Sequence, residues 1–276
     1  MRNFLFILIV LVSSCKKDDS LTPPVNSEPT FFLFEDGFES LENDLSELFP
    51  SDGSRWTNLQ QVDPENGENT IELETNTVLE GNNSLRIFSS SSDEILSKAD
   101  IEKGGFNAPE SSTVIISANF FIASIEDLEN LLLIDLECCS CWDPNVPDNN
   151  CPGVRLMMKD NDHLVIERGK ILGSTLTQAE VNFPRNEWVN VVWESTLSQE
   201  EDGVNKLCIN GQEVISETGM NMPNADQFEE EFSNFGIDFE LQEPLFYERF
   251  QIGATANPSS SDIELFIDDV KLEIIE

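Results

Sequence analysis

The sequence predicts an all-β protein, a single antiparallel β-sandwich of the jelly-roll type, on three observations. Short runs rich in Val, Ile, Leu and Phe recur along the chain, separated by Gly, Asn, Asp and Pro. Helical periodicity is confined to two brief segments, so crossover helices are missing and an antiparallel arrangement follows. No Pro- or Gly-rich linker divides the chain after Thr30, which leaves residues 31–276 as one domain.

Taken in order, the candidate strands begin with FFLFEDGFE (31–39), TIELE (70–74) and SLRIFS (84–89). TVIISANFFI (113–122) and NLLLIDLEC (130–138) are longer apolar blocks. GVRLMMK (153–159) and HLVIERG (163–169) flank KDND (159–162), whose polar residues suit a tight hairpin turn. EWVNVVWES (187–195) follows, then NKLCIN (205–210) and QEVISE (212–217), joined through the Asn-Gly pair of INGQ (209–212). FYERFQIG (246–253) and IELFIDDVKLEII (263–275) complete the set. SDEILSKA (92–99) and ADQFEEEFS (225–233) are each long enough for about two helical turns.

Composition bounds the function. The 276 residues carry a net charge of −38, which repels nucleic acid and anionic lipid surfaces and excludes both as binding partners. A hydrophobic content of 39% supplies a core and separates the chain from disordered acidic sequences.

The N-terminus is of another kind. Phe4 to Val12 is an unbroken apolar run. It is shorter than the roughly 20 residues of a membrane-spanning helix and fits the about 7–15 of a secretory signal. Val12-Ser13-Ser14-Cys15 resembles the lipobox of bacterial lipoproteins. That resemblance implies cleavage after residue 14 and acylation of Cys15, with the membrane contacted through the lipid alone. An ordinary signal peptide with a chance cysteine is the alternative. CKKDDS (15–20) is similar to the export tag of some Gram-negative surface lipoproteins, which implies an outer-membrane, surface-exposed location. The proline-rich stretch 20–30 suits a tether, so 1–14 reads as signal, 15–30 as tether and 31–276 as domain.

Apart from Cys15 there are Cys138, Cys139, Cys141, Cys151 and Cys208. An oxidising envelope makes all of them disulfide candidates. Zinc is the alternative for the CCSCWDPNVPDNNC cluster, but its spacing lacks paired CxxC knuckles and no histidine is near. Connectivity is not legible, and an odd number leaves one thiol over or paired with another chain.

FPRNEWVNVVWESTLSQEEDGVNKLCINGQEVIS (183–216) resembles the laminin-G and concanavalin A-like sandwiches, with a tryptophan opening a strand and an Asn-Gly hairpin after it. PGVRLMMKDNDHLVIERGK (152–170) and IGATANPSSSDIELFIDDVKLEI (252–274) narrow the similarity to the heparin-lyase-I-like polysaccharide lyases. That resemblance implies a concanavalin A-like jelly roll and, for a lyase, a histidine and a tyrosine at an acidic sugar. The chain has one of each, His163 and Tyr247, on distant segments. LLLIDLE (131–137) is similar to the catalytic strand of laminarinase-type glucanases. Leu133 occupies the nucleophile's position, which leaves Asp135 and Glu137 on one face of a core strand.

Three further features bear on binding. Arg155 and Lys159 share one strand face, and with Arg168 they form a basic strip suited to uronic or sulfated polysaccharide, or else to cross-strand pairing with Glu167, Asp160 and Asp162. Trp142 in the cysteine loop is a candidate sugar platform, and Trp188 and Trp193 fall on opposite strand faces, so one is core. Glu35 and Asp36 on the first strand and Asp268 and Asp269 on the last suit a structural Ca²⁺, as the resemblance also implies; ordinary edge acidity is the alternative. The leading reading is a non-catalytic glycan-binding or structural surface lipoprotein. A lyase acting on an acidic glycan comes next, then a protein-binding subunit of an outer-membrane complex.

Overall fold

The computed structural model describes residues 30–93, 97–126, 128, 130–147, 151–169, 174–257 and 260–275. Cys15 and the tether up to residue 29 lie outside them. In chain order the strands are β1 (Thr30–Asp36), β2 (Asn58–Val62), β3 (Thr70–Glu74), β4 (Ser84–Ser89), β5 (Lys98–Lys103), β6 (Ala108–Pro109), β7 (Thr113–Ile122), β8 (Leu131–Glu137) and β9 (Gly153–Lys159). They continue as β10 (His163–Gly169), β11 (Ser174–Asn182), β12 (Trp188–Thr196), β13 (Val204–Ile209), β14 (Gln212–Thr218), β15 (Phe246–Tyr247), β16 (Arg249–Ala256) and β17 (Ile263–Ile275), with helix α1 (Ala225–Asn234) between β14 and β15.

Two large antiparallel sheets result, with β6 and β15 paired as a separate two-stranded ribbon. One has the order β14-β13-β12-β7-β17-β4-β3, with β1 also on β17; the other runs β11-β10-β9-β8-β16-β5-β2. The predicted antiparallel sandwich is what the chain forms. β12 shows why: in WVNVVWEST, Val189, Val191 and Trp193 turn inward and the residues between them turn out. Ile252 of β16 and Ala99 and Ile101 of β5 meet them from the facing sheet in one buried cluster. Trp56 is fully buried where Phe34, Phe38 and Phe250 surround it, with ring centroids 5.0–6.1 Å away. Both expected hairpin turns take left-handed backbone, at Asn161 (φ 60°) and at Asn210–Gly211 (φ 50° and 76°).

The expected helix over 92–99 is corrected in part. β5 begins at Lys98, and residues 94–96 lie outside the described residues. In KADIEK the alternation of Ala99 and Ile101 with Asp100 and Glu102 is a strand period. β2 and β11, unmarked in the sequence reading, are sheet-edge strands rich in Gln, Asn and Thr. The expected helix over 225–233 forms as α1, with the Asn224 side chain accepting the Gln227 N–H at 3.1 Å.

Candidate functional site

Alternation sorts the seven-stranded sheet into two faces. Phe250, Ile252, Ile134, Leu136, Val154 and Leu156 enter the core, so their strand neighbours point away from it. Register then lines up Asn58, Glu102, Gln251, Asp135, Arg155 and Glu167 as one polar row across six strands. At a strand spacing of about 4.8 Å the row is about 24 Å long. Beside it lie Gln60, Asp100, Arg249 and Glu137. Toward the other end of the strands the same face becomes apolar, with Leu132, Met157, Val165 and Ala256 packed together.

Most groups in the row are matched. Arg249 Nε donates to Glu137 at 2.7 Å and lies 3.7 Å from Glu102, which also accepts from Gln60 at 3.1 Å. Lys159 Nζ meets Glu167 at 2.7 Å, and Thr255 donates to Asp135 at 2.7 Å. Arg155 Nε is 3.3 Å from the other Asp135 oxygen, an ionic contact without hydrogen-bond alignment. Gly169 leaves room for that guanidinium, since a Cβ there would lie 2.5 Å from Arg155 Nη2.

Two groups at the centre are unmatched. Asp100 and Gln251 are both 0% exposed, and neither carboxylate oxygen nor either amide atom has a hydrogen-bond partner. A buried unpaired polar group costs about 1–3 kcal/mol, so such groups are rare and call for an explanation. Burial pushes the Asp100 carboxyl up to about 8, Lys98 opposes the rise, and Asp135, Glu137 and Glu102 add to it. At neutral pH Asp100 is therefore mostly protonated and able to donate a hydrogen bond. The row opens to solvent at Asn58 on the sheet edge, while Glu102 and Glu167 are half-buried.

The predicted site residues are dispersed. Arg155 and Lys159 do share the outer face, but Arg155 is buried against Asp135. Arg168 is a correction: it falls on the inner face with Leu164 and Ile166, and its guanidinium lies 3.3 Å from both Met220 Sδ and Gln227 Oε1, beside α1. No single basic strip forms from the three. His163 and Tyr247 do not converge. The His163 ring accepts or donates at Gln178, 2.9 Å away, at one end of β10. Tyr247 lines a cavity of about 20 Å³ beside Gly169 at the other end, and a strand of this length spans about 20 Å. The Tyr247 hydroxyl donates to the Asn221 carbonyl at 2.6 Å, and burial raises its pKa above the usual value.

Trp142 is likewise corrected. It is buried, donates to the Val146 carbonyl at 2.9 Å, and packs edge-on to Phe232 and Phe239. The apolar side of α1 therefore covers the predicted platform. Trp193 is the core residue of its pair; Trp188 lies on the outer face of the other sheet, half-buried, with its ring 5.7 Å from Phe121. Cys138 pairs with Cys141 and Cys139 with Cys151, while Cys208 is buried in β13.

The acids named for calcium are engaged separately. Asp36 gives both oxygens to Arg55, at 2.8 and 2.6 Å, and accepts the Phe38 N–H. Asp268 accepts the Leu79 and Glu80 N–H groups, and burial lifts its carboxyl to about 6 against those bonds. Glu35 is exposed, with Lys271 3.7 Å away, and Asp269 sits at a left-handed bulge with φ 49°. Among the described residues, no three of these four carboxylates form a cluster within 4.8 Å.

No protein-family model matches the chain, and no curated protein matches it in sequence. Solved structures do match in fold. An endo-β-1,4-glucuronan lyase from the fungus Trichoderma reesei superposes with a TM-score of 0.58 at 11% identity, covering 88% of this chain and 95% of that one. The cellulose-induced protein Cip1 gives 0.55 at 13% identity, with 87% and 96% covered. A PL-14 alginate lyase from Aplysia kurodai gives 0.50 at 13% identity, with 88% and 98% covered. The chain has the jelly-roll β-sandwich fold of these proteins. At such identities the likeness speaks for fold alone, and function has to be argued from the site.

Proposed function

We propose that this protein is a non-catalytic glycan-binding sandwich that holds a polysaccharide along the outer face of its seven-stranded sheet. One observation carries the reading: Gln251 within the polar row and Asp100 beside it stand buried and unpartnered, and the row's edge, at Asn58, is open. Unmatched polar atoms in an otherwise matched network mark a place where stability is given up for a ligand. The β2 edge, where Asn58 is exposed, is the accessible end of the row. The pair expected for β-elimination is separated and tied into the fold, which favours binding over chemistry. The lipid anchor at Cys15 and the surface location belong to the same proposal and rest on the sequence of residues 1–20 alone. The test is affinity electrophoresis of the soluble domain in gels containing neutral and acidic polysaccharides. Retardation by one of them supports the reading, and unchanged mobility in all of them contradicts it.

A further inference from the structure

The row also specifies which class of glycan it accepts. We infer that the ligand is an uncharged polysaccharide gripped through its hydroxyl groups by Gln251 and Asp100, and that uronic and sulfated polymers are excluded. This rests on the glycan-binding reading and narrows it.

Three features carry the inference. The first is the chemistry of the unmatched groups. The Gln251 amide presents a donor and an acceptor together, both unpaired and with no solvent exposure, on the outward side of β16. A sugar hydroxyl is also donor and acceptor at once and satisfies both. Asp100, likewise unpaired, lies one strand away, opposite Gly253.

The second is the state of the cations. An anionic glycan is recognised by arginine or lysine groups that can face it. On this face Arg155 is held against Asp135, Arg249 against Glu137 and Glu102, and Lys159 against Glu167. Recruiting any of them would strip a half-buried or buried carboxylate of its partner. Lys98, on the same face of β5, opposes the rise of the Asp100 carboxyl.

The third is the field at the centre. Glu102, Asp135 and Glu137 converge there around a largely protonated Asp100, inside a chain of net charge −38. A sugar carboxylate or sulfate brought to Gln251 would meet like charges in a water-poor setting, where their repulsion is weakly screened. An uncharged hydroxyl meets no such barrier.

The experiment compares the wild-type domain with Gln251→Met in affinity gels and by titration calorimetry. The panel holds neutral polymers (mixed-linkage β-glucan, xylan, galactomannan) and anionic ones (alginate, polygalacturonate, a sulfated galactan). Wild type should bind at least one neutral polymer, with affinity changed less than twofold between about 0.05 and 0.5 M salt, since screening acts only on charge. Gln251→Met should bind it at least tenfold more weakly while melting at the same or a higher temperature, because the variant removes two unpaired buried atoms at similar volume. A merely structural glutamine would lower melting temperature and affinity together. Salt-sensitive binding confined to anionic polymers overturns the inference but leaves the glycan-binding reading standing. Neutral binding that Gln251→Met does not weaken overturns the assigned groups, and binding to no polymer overturns both readings.

Discussion

Asn at position 100 should stabilise the protein, increasingly so as pH rises. Asp100 is fully buried, and its carboxyl sits at about 8 in the fold against 3.8 when unfolded. Between those two values the native state binds the extra proton, so stability falls as pH rises through the window and levels off above about 8. Each unit of difference is worth about 1.4 kcal/mol. From 3.8 to neutrality this amounts to on the order of 4 kcal/mol, an upper bound because local relaxation and water entry reduce it. Asp100→Asn keeps the shape and removes the titration. The assay is guanidinium unfolding of both proteins at a series of pH values from 4 to 8.5. The two should be similar near pH 4, and the variant should gain steadily on wild type up to about pH 8. Repulsion among the chain's many other acids affects both proteins alike and cancels in the difference. A gap that does not grow with pH would refute the claim that Asp100 is buried without a partner.

Three further outcomes follow from the structure. Tyr247→Phe loses the bond to the Asn221 carbonyl and should cost about 1–2 kcal/mol of stability by denaturant titration, with glycan retardation unchanged; a stable variant that loses an elimination activity would restore the lyase reading. Cys139→Ser with Cys151→Ser opens a loop of sequence separation 12, worth about 3 kcal/mol of loop entropy; peptide mapping without reduction should recover the Cys139–Cys151 cross-link from wild type, and native protein with both thiols alkylatable would contradict it. Cys15→Ala should move the protein from the membrane to the soluble fraction of cells, and retention in the membrane would contradict acylation at that residue.

Much of the fold was legible because strands buried on one side announce themselves by alternation. Val189, Val191 and Trp193 give the inward face of β12 directly, and the Asn210–Gly211 pair gives its neighbour's hairpin. β2 was missed because an edge strand with a polar outer face, such as NLQQV, carries little apolar signal. The site was less legible. Alternation places Asp135 and Glu137 on one face of a core strand, but nothing local shows that β8 lies at the centre of its sheet between β9 and β16. Asp100 and Gln251 lie 151 positions apart and come to neighbouring strands only through the β5–β16 pairing, which periodicity cannot encode. Their one sequence signal is a polar residue between two core positions, Ala99-Asp100-Ile101 and Phe250-Gln251-Ile252, and this describes any half-exposed strand equally well. Arg168 and Trp142 misled because an arginine near a strand end and a tryptophan in a polar, cysteine-rich loop both read as exposed, and α1 folds over them in a way that only tertiary packing decides.

The central claim is that the outer face of the seven-stranded sheet is where a sugar sits, and a crystal structure of the domain soaked with a neutral oligosaccharide tests it most directly. The account predicts sugar hydroxyl oxygens within about 3.2 Å of the Gln251 amide and the Asp100 carboxyl, with the chain of the glycan running along the row toward Asn58. A sugar stacked instead on Trp188 and Phe121, on the outer face of the opposite sheet, with Gln251 and Asp100 still covered, would contradict it.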